Sequence, residues 1–189
     1  MDVKEAIETR RAYRSLEPVE ITRELVEDLA RAASLAPSCF NNQPWRFVFV
    51  HDPEVLKALH GTLSRGNEWA QKASMIIAAF SKKELDCDLH GREYYLFGVG
   101  MATAFLVLRA TELGLVAHPI AGYHEDQVKE VLDIPEEMTV ITLIMVGKHS
   151  REIGPLLSEK QAADEVARPP RKPLSEIAFE NRLGNRLGD

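Results

Sequence analysis

A layered domain of α/β or α+β class is predicted by three observations on this 189-residue chain. Apolar runs of strand length recur at residues 47–50, 74–80, 115–120 and 140–146. Segments whose apolar residues follow a helical period separate them. Hydrophobic residues make up 45% of the chain, with no internal repeat or low-complexity tract, which suffices for one sizeable core. Strands alternating with helices pack in layers because each element has one apolar face to bury.

Each element has its own signal. Asp2 caps a first helix, with Glu5 three residues on in capping-box position. Thr22 caps a second, in which Leu25, Val26, Leu29, Ala32, Ala33 and Ala36 trace one face until Pro37 ends it. Residues 47–50 read as a buried strand, and Asp52-Pro53 opens a third helix with proline at its favoured first position. Residues 74–80 form a second strand. A polar stretch at 81–92 then leads into a long helix over 93–113. Strands at 115–120 and 140–146 flank a short helix near 126–132. After Gly147 the character changes, with Pro155, Pro169, Pro170 and Pro173 and one short helical pattern near 158–166. The chain reads as one domain, 1–189, with 150–189 as an extension. A loose tail is the ordinary outcome at a terminus, yet the Pro173–Ile177 stretch carries apolar anchors that can dock.

The net charge of −6 and a pI near 5.6 give no reason to expect nucleic acid or an anionic membrane as partner. Positive charge is concentrated locally, at Arg10, Arg11 and Arg14 and again at Arg168, Arg171 and Lys172. No apolar run is expected to span a membrane, and the mixed-charge start does not read as a signal peptide. Cys39 and Cys87 lack metal-type spacing and suggest a reducing cytoplasm, with Cys39 read as a small buried filler in preference to a redox-active thiol. His118 and His124 have no ligand spacing, so no metal is expected. Trp45 and Trp69 read as packing residues.

Residues 36–47 are the densest in information. Ser38, Asn41, Asn42 and Gln43 offer hydrogen bonds from a connection stiffened by Pro37 and Pro44. Such a loop either presents a binding edge or satisfies its own backbone, and the residues alone suit both. A separate reading takes residues 94–97 as a strand and Gly98-Val99-Gly100 as a phosphate turn. That partial dinucleotide fingerprint holds Thr103 where its third glycine belongs and lacks the acidic residue about 20 positions on.

The segment from Pro37 and Ser38 through Asn41 to Gln43-Pro44-Trp45 closely resembles a motif of the nitroreductase-like flavoprotein family. Arg10-Arg11-Ala12-Tyr13-Arg14 resembles that family's basic phosphate-binding opening. Leu113-Gly114-Leu115 followed by the stretch from Pro119 to Tyr123, and Ile134-Pro135 before the apolar run 140–147, match in the same order. The likeness covers residues 3 to 175.

The resemblance implies an α+β fold, a central and mainly antiparallel sheet flanked by helices, in an interlocked homodimer. The 150–189 extension would pack on the partner, and the long helix, with Gly98, Gly100 and Ala102 read as a smooth face, would serve core and interface together. It implies tightly bound FMN with NAD(P)H as co-substrate, in a site at the subunit interface. Arg10 and Arg171, with Arg11, would hold the phosphate. Arg14 would sit near the flavin N1–C2 carbonyl, where a cation stabilises charge arriving on reduction. Ala12 stands where the family often has serine, which shifts phosphate binding onto the arginines. Pro37, Ser38, Cys39 and Asn41 would reach the flavin from the other subunit. Asn67 would bond the ring, Lys72 would lie close by, and Pro119, Ile120 and Gly122 would pass near N5, where glycine leaves room. Ala121 replaces an acidic residue frequent in the family.

No side chain is needed as nucleophile, because the flavin carries the chemistry. The implied activity is ping-pong hydride transfer from NAD(P)H to a small electron-poor acceptor such as a nitroaromatic or quinone. The alternatives are an NAD(P)-binding Rossmann-like dehydrogenase and a non-catalytic flavin-binding or sensing dimer. Branches of the resembled family that remove halogens or remodel flavin stay open as well.

Overall fold

A computed structural model describes residues 1–188. Helix α1 (Val3–Thr9) starts at Asp2, whose Oδ1 accepts the Glu5 N–H at 2.8 Å. After a two-residue strand β1 (Leu16–Glu17), helix α2 (Arg23–Ser34) begins at Thr22, whose Oγ1 accepts the Leu25 N–H at 3.2 Å. Thr22→Ala is expected to lower stability by about 1 kcal/mol in urea unfolding, because that end donor loses its acceptor. Strand β2 (Arg46–Val50) turns at Asp52 into α3 (Pro53–His60), with the Asp52 carboxylate accepting from Glu54 and Val55. Strand β3 (Met75–Ser81), a small hairpin β4 (Asp88–Leu89) and β5 (Arg92–Glu93), and helix α4 (Tyr94–Glu112) come next. Strand β6 (Leu115–Ile120), helix α5 (Glu125–Leu132) and strand β7 (Thr139–His149) complete the core. Helices α6 (Glu159–Val166) and α7 (Leu174–Ile177) lie in the extension.

All strand pairings are antiparallel. The eleven-residue β7 is the axis of the main sheet. Lys148 pairs with both Leu115 and Glu17, and residues 143–146 pair with both β6 and β3. So β6 takes one edge of β7, while β3 and then β1 share the other, with β2 outside β3. The parallel α/β option is thereby excluded, and the sheet is the antiparallel kind that the resemblance implies.

Period-two alternation divides the core. Ile76, Ala78 and Phe80 point with Leu143 and Met145 toward Leu59, Trp69 and Val128, beneath α3 and α5. Met75, Ile77 and Ala79 point with Ile144 and Val146 toward Leu29, Ala33, Val99, Ala102 and Leu106 of α2 and α4. Both faces of β3 are therefore buried, which is why it reads as a continuous apolar run.

Helix α4 corrects three expectations. Residues 94–97 are its first turn and Gly98–Gly100 its second, so the strand-and-phosphate-turn reading, and with it the Rossmann-like dehydrogenase, does not hold. At 19 residues α4 is long and apolar enough to cross a membrane by length and composition, contrary to the reading that no segment is. Its inner residues Tyr95, Val99, Ala102, Leu106 and Ala110 are nonetheless buried against the sheet and α2. Finally, the small residues do not form one smooth face. Gly98 packs on Pro44 and Ala102 lies in the core, whereas Gly100 opens outward beside exposed Leu96, Phe97 and Phe105.

Three short elements carried no sequence signal: β1, the β4–β5 hairpin and α7. Two or four residues are too few to show a period. Cys39 is not a buried filler. It is half-buried and disulfide-bonded to Cys87, with Cα atoms 6.2 Å apart across 48 residues of chain, so the two cysteines do not support the reducing compartment expected from them.

Candidate functional site

The expected site residues fall into three groups. The first is cationic. Arg10 ends α1, and the Arg168 guanidinium donates to its carbonyl at 2.6 Å. Burial lowers the Arg10 pKa, and the like charges of Arg168 and Arg171 add to the effect. Among the described residues none of the three has a carboxylate within ion-pair distance, although acidic residues outnumber basic ones. Like charges gathered without counter-charge form a receptor for an anion.

Arg11 is placed differently. Its guanidinium donates to the Asp164 and Glu165 carbonyls at 2.6 and 3.3 Å and covers the Tyr13 ring at 4.5 Å. Those carbonyls belong to the last turn of α6, where a helix lacks internal donors and a cation is favoured. Ala12 is exposed and touches no partner through a polar group. Between these residues and the next group stands Glu165, which sequence reading missed. Its buried carboxylate accepts the Arg14 N–H at 2.8 Å and the Ser15 N–H at 3.1 Å. It fixes the backbone that carries Arg14. Glu165→Gln places an amide NH₂ against one of those N–H groups, and a cost of about 1–2 kcal/mol is expected in urea unfolding.

The second group lines a cleft of about 160 Å³. Arg14, Trp69 and Lys72 form one wall and residues 152–157 the other. Beside it, Asn67 Nδ2 donates to the Gly122 carbonyl at 3.0 Å, and the Ser64 N–H reaches the same oxygen at 3.0 Å. A Cβ on Gly122 would collide with the Asn67 amide, so a larger residue there requires the Asn67 side chain to move. Among the described residues the Gly122 N–H donates to no backbone carbonyl. Pro119 is exposed on β6 while Ile120 is buried, its carbonyl taken by Thr142 Oγ1 at 2.9 Å. His118 lies between the groups. It is buried, stacks on Trp69 with centroids 4.8 Å apart, and places Nδ1 3.0 Å from the Tyr13 carbonyl. Burial, first of all, and the charges of Arg14 and Arg10 push its pKa down to about 4.

The third group is the loop Pro37, Ser38, Cys39 and Asn41. Phe40, Asn41 and Gln43 all have positive φ, a conformation that side chains resist. Ser38 Oγ accepts the Gln43 N–H at 2.9 Å, and Arg46 donates to the Gln43 carbonyl at 3.0 Å. Phe40 is 89% exposed. Pro37, Ser38 and Cys39 line a second cleft with Asp86, Tyr94, Phe97, Gly98 and Met101. No hydrogen bond or ion pair among the described residues joins this loop to Arg10–Arg14, Asn67, Lys72 or Gly122. One chain therefore presents two half-sets.

No histidine joins a cluster of possible metal ligands among the described residues. Cys39, Asp86 and Cys87 bring ligand atoms within 4.8 Å, a grouping that sequence spacing did not reveal, but the two sulfurs are bonded to each other.

Together these features set an antiparallel sheet between two helical layers beside a basic opening and a polar loop after α2. The sequence profile of the nitroreductase family matches residues 7–148, and the chain belongs to that family. It is 28% identical over 145 residues to an Archaeoglobus fulgidus protein named NADH dehydrogenase/NAD(P)H nitroreductase, covering 75% of this chain and 82% of that one. An iodotyrosine deiodinase from Haliscomenobacter hydrossis is 27% identical, with 84% and 83% covered. A crystal structure described as an oxidoreductase containing FMN superposes with a TM-score of 0.83 at 30% identity, covering 100% of this chain and 95% of that one.

Proposed function

We propose that this chain is an FMN-dependent oxidoreductase that takes reducing equivalents from NADH or NADPH and passes them to small electron-poor acceptors, nitroaromatics or quinones, at one site used in turn. The observation that carries the reading is the convergence of Arg10, Arg168 and Arg171 without a carboxylate partner. A phosphate dianion fits that donor set, because guanidinium forks meet its oxygens in pairs. Relatives named as NAD(P)H nitroreductases and a fold neighbour containing FMN support it.

When bound, the flavin supplies the hydride chemistry. The chain's own residues then have distinct tasks. Arg10 and Arg171, joined by Arg168, hold the phosphate. Arg14 and Lys72, on one cleft wall, place positive charge where the reduced ring becomes anionic. The Gly122 N–H is free to donate to the ring edge, and Asn67 orients beside it. Pro37, Ser38, Cys39 and Asn41 complete the site from a second copy, which accounts for the two half-sets within one chain. The exposed stripe of Leu96, Phe97, Gly100 and Phe105 on α4 and the exposed Ile177, Phe179 and Leu187 of the extension supply apolar area for that homodimer. We place the enzyme in the cytoplasm, where the reduced nicotinamides are available.

The test is the visible spectrum of the purified protein with chromatography of the released flavin, followed by initial rates at varied donor and acceptor. One FMN per chain and parallel double-reciprocal lines are expected. A colourless protein that takes up no added FMN overturns the cofactor, and intersecting lines overturn the shared site.

A further inference from the structure

We infer that Cys39–Cys87 is a reversible redox site, a clasp that couples the conformation of the polar loop at 37–44 to the thiol–disulfide state around the protein. The bond joins two segments that are otherwise tied to each other by few contacts. On one side is the loop with three residues at positive φ. On the other is residue 87, just before the β4–β5 hairpin, whose strands are exposed and pair only with each other. Apart from the bond, Asn42 Nδ2 reaches Asp86 Oδ1 at 3.1 Å and Cys87 Sγ at 3.6 Å, and little else ties residues 39–43 to residues 86–87. The loop keeps its own bonds, Ser38 and Arg46 to Gln43 and Ser81 to Pro44, so cutting the disulfide releases it from residues 86–87 rather than unfolding it.

Both cysteines are half-buried, so a small thiol can reach the sulfurs. A thiolate of an incoming dithiol attacks one sulfur, breaks the S–S bond and forms a mixed disulfide, which the second thiol of the dithiol resolves. Two electrons and two protons pass to Cys39 and Cys87, and the reductant leaves as its own disulfide. The open state also answers a defect of the closed one. Asp86 Oδ2 is buried and accepts no hydrogen bond, while an Asp86 carboxylate oxygen lies within 4.8 Å of both sulfurs. A cysteine S–H supplies a donor that the disulfide lacks. Opening therefore exchanges a covalent tether for two thiol donors in the neighbourhood of that carboxylate.

On the proposed function, Pro37, Ser38, Cys39 and Asn41 meet the cofactor of a second copy, so the clasp sets the shape of the acceptor side of that site. The experiment takes the flavin-loaded protein through oxidised glutathione and then dithiothreitol, and reads three quantities. Denaturing thiol titration is expected to give no free thiol in the first state and two per chain in the second. Limited proteolysis is expected to cut within residues 37–44 or 82–93 several-fold faster in the second state, whether or not flavin is bound. The KM for 1,4-benzoquinone is expected to change at least threefold while flavin content stays constant, and Cys87→Ser is expected to match the reduced state and ignore dithiothreitol. Two free thiols under both conditions, a zinc ion retained by the thiols in place of a disulfide, or equal proteolysis in the two states overturns the clasp. A clasp that cycles in a protein that takes up no added FMN leaves the clasp standing and overturns the proposed function, and equal KM values remove only the coupling to the acceptor.

Discussion

Arg10→Ala combined with Arg171→Ala is expected to yield a protein that purifies without colour and binds added FMN roughly 10²–10⁴-fold more weakly than the unaltered chain. Each arginine stands to lose charge-assisted hydrogen bonds worth about 1.5–3 kcal/mol, so the pair accounts for about 3–6 kcal/mol of binding. The apo-protein is expected to respond in the opposite direction. Burial and the neighbouring Arg168 and Arg171 already disfavour the charged Arg10 side chain. Removing two of three uncompensated cations relieves that repulsion, so the melting temperature without flavin should hold or rise slightly. Fluorescence titration with FMN, alongside thermal unfolding of the apo-protein, separates the two effects. Weak binding from a misfolded protein would lower both, whereas a lost phosphate receptor lowers only the first. Unchanged FMN affinity in the double variant would remove the phosphate role from these arginines. Arg11→Ala is the internal comparison, because its donors are taken by the α6 carbonyls, and it is expected to cost stability more than affinity.

The framework of the molecule was legible because its long elements carry their own punctuation. Asp2, Thr22 and Asp52-Pro53 each stand where a helix begins, and all three side chains cap in the structure. The runs at 74–80 and 140–146 are apolar throughout because β3 and the central part of β7 are covered by a helical layer on both faces. Strand direction was not legible from these runs, since burial on both faces erases the alternation that distinguishes a half-exposed antiparallel strand. The resemblance supplied the antiparallel arrangement. Within the site, the nearness of Arg10 to Arg171 followed from the family likeness, but Arg168 did not, because nothing in a Pro-rich tail says which of its cations folds back. Glu165 was hidden for a related reason. In sequence it is one of several acids on a short amphipathic helix, and only its distance from the Arg14 and Ser15 N–H groups, 150 residues away, shows its task. The Cys39–Cys87 bond shows the limit of spacing arguments most clearly. Two cysteines 48 residues apart carry no register, and their meeting depends on how the polar loop packs against the start of α4.

His118 is expected to make the fold sensitive to mild acid. Its imidazole is buried against Trp69, and burial, reinforced by Arg14 and Arg10 and only partly offset by Glu165 and the Tyr13 carbonyl, brings the pKa to about 4. In the unfolded chain the same group titrates near 6.5. Between these values the unfolded state holds the extra proton, so stability falls as pH drops from about 6.5 toward 4 and is level above that window. The shift of about 2.5 pKa units corresponds to about 3 kcal/mol, at 1.36 kcal/mol per unit. Carboxylates contribute to acid unfolding as well, so the informative quantity is a difference. His118→Asn keeps a donor within reach of the Tyr13 carbonyl and cannot charge. Urea unfolding of both proteins at pH 7.5 and 4.5 should show the unaltered chain losing about 2–3 kcal/mol more than the variant over that range. The variant should be the less stable of the two at pH 7.5, because the smaller side chain leaves space beside Trp69, and the gap should narrow or reverse at pH 4.5. Parallel losses in the two proteins would mean that the His118 ring accepts a proton inside the folded state without penalty. The cleft wall formed by Trp69, Arg14 and Lys72 would then tolerate a third positive charge directly behind it.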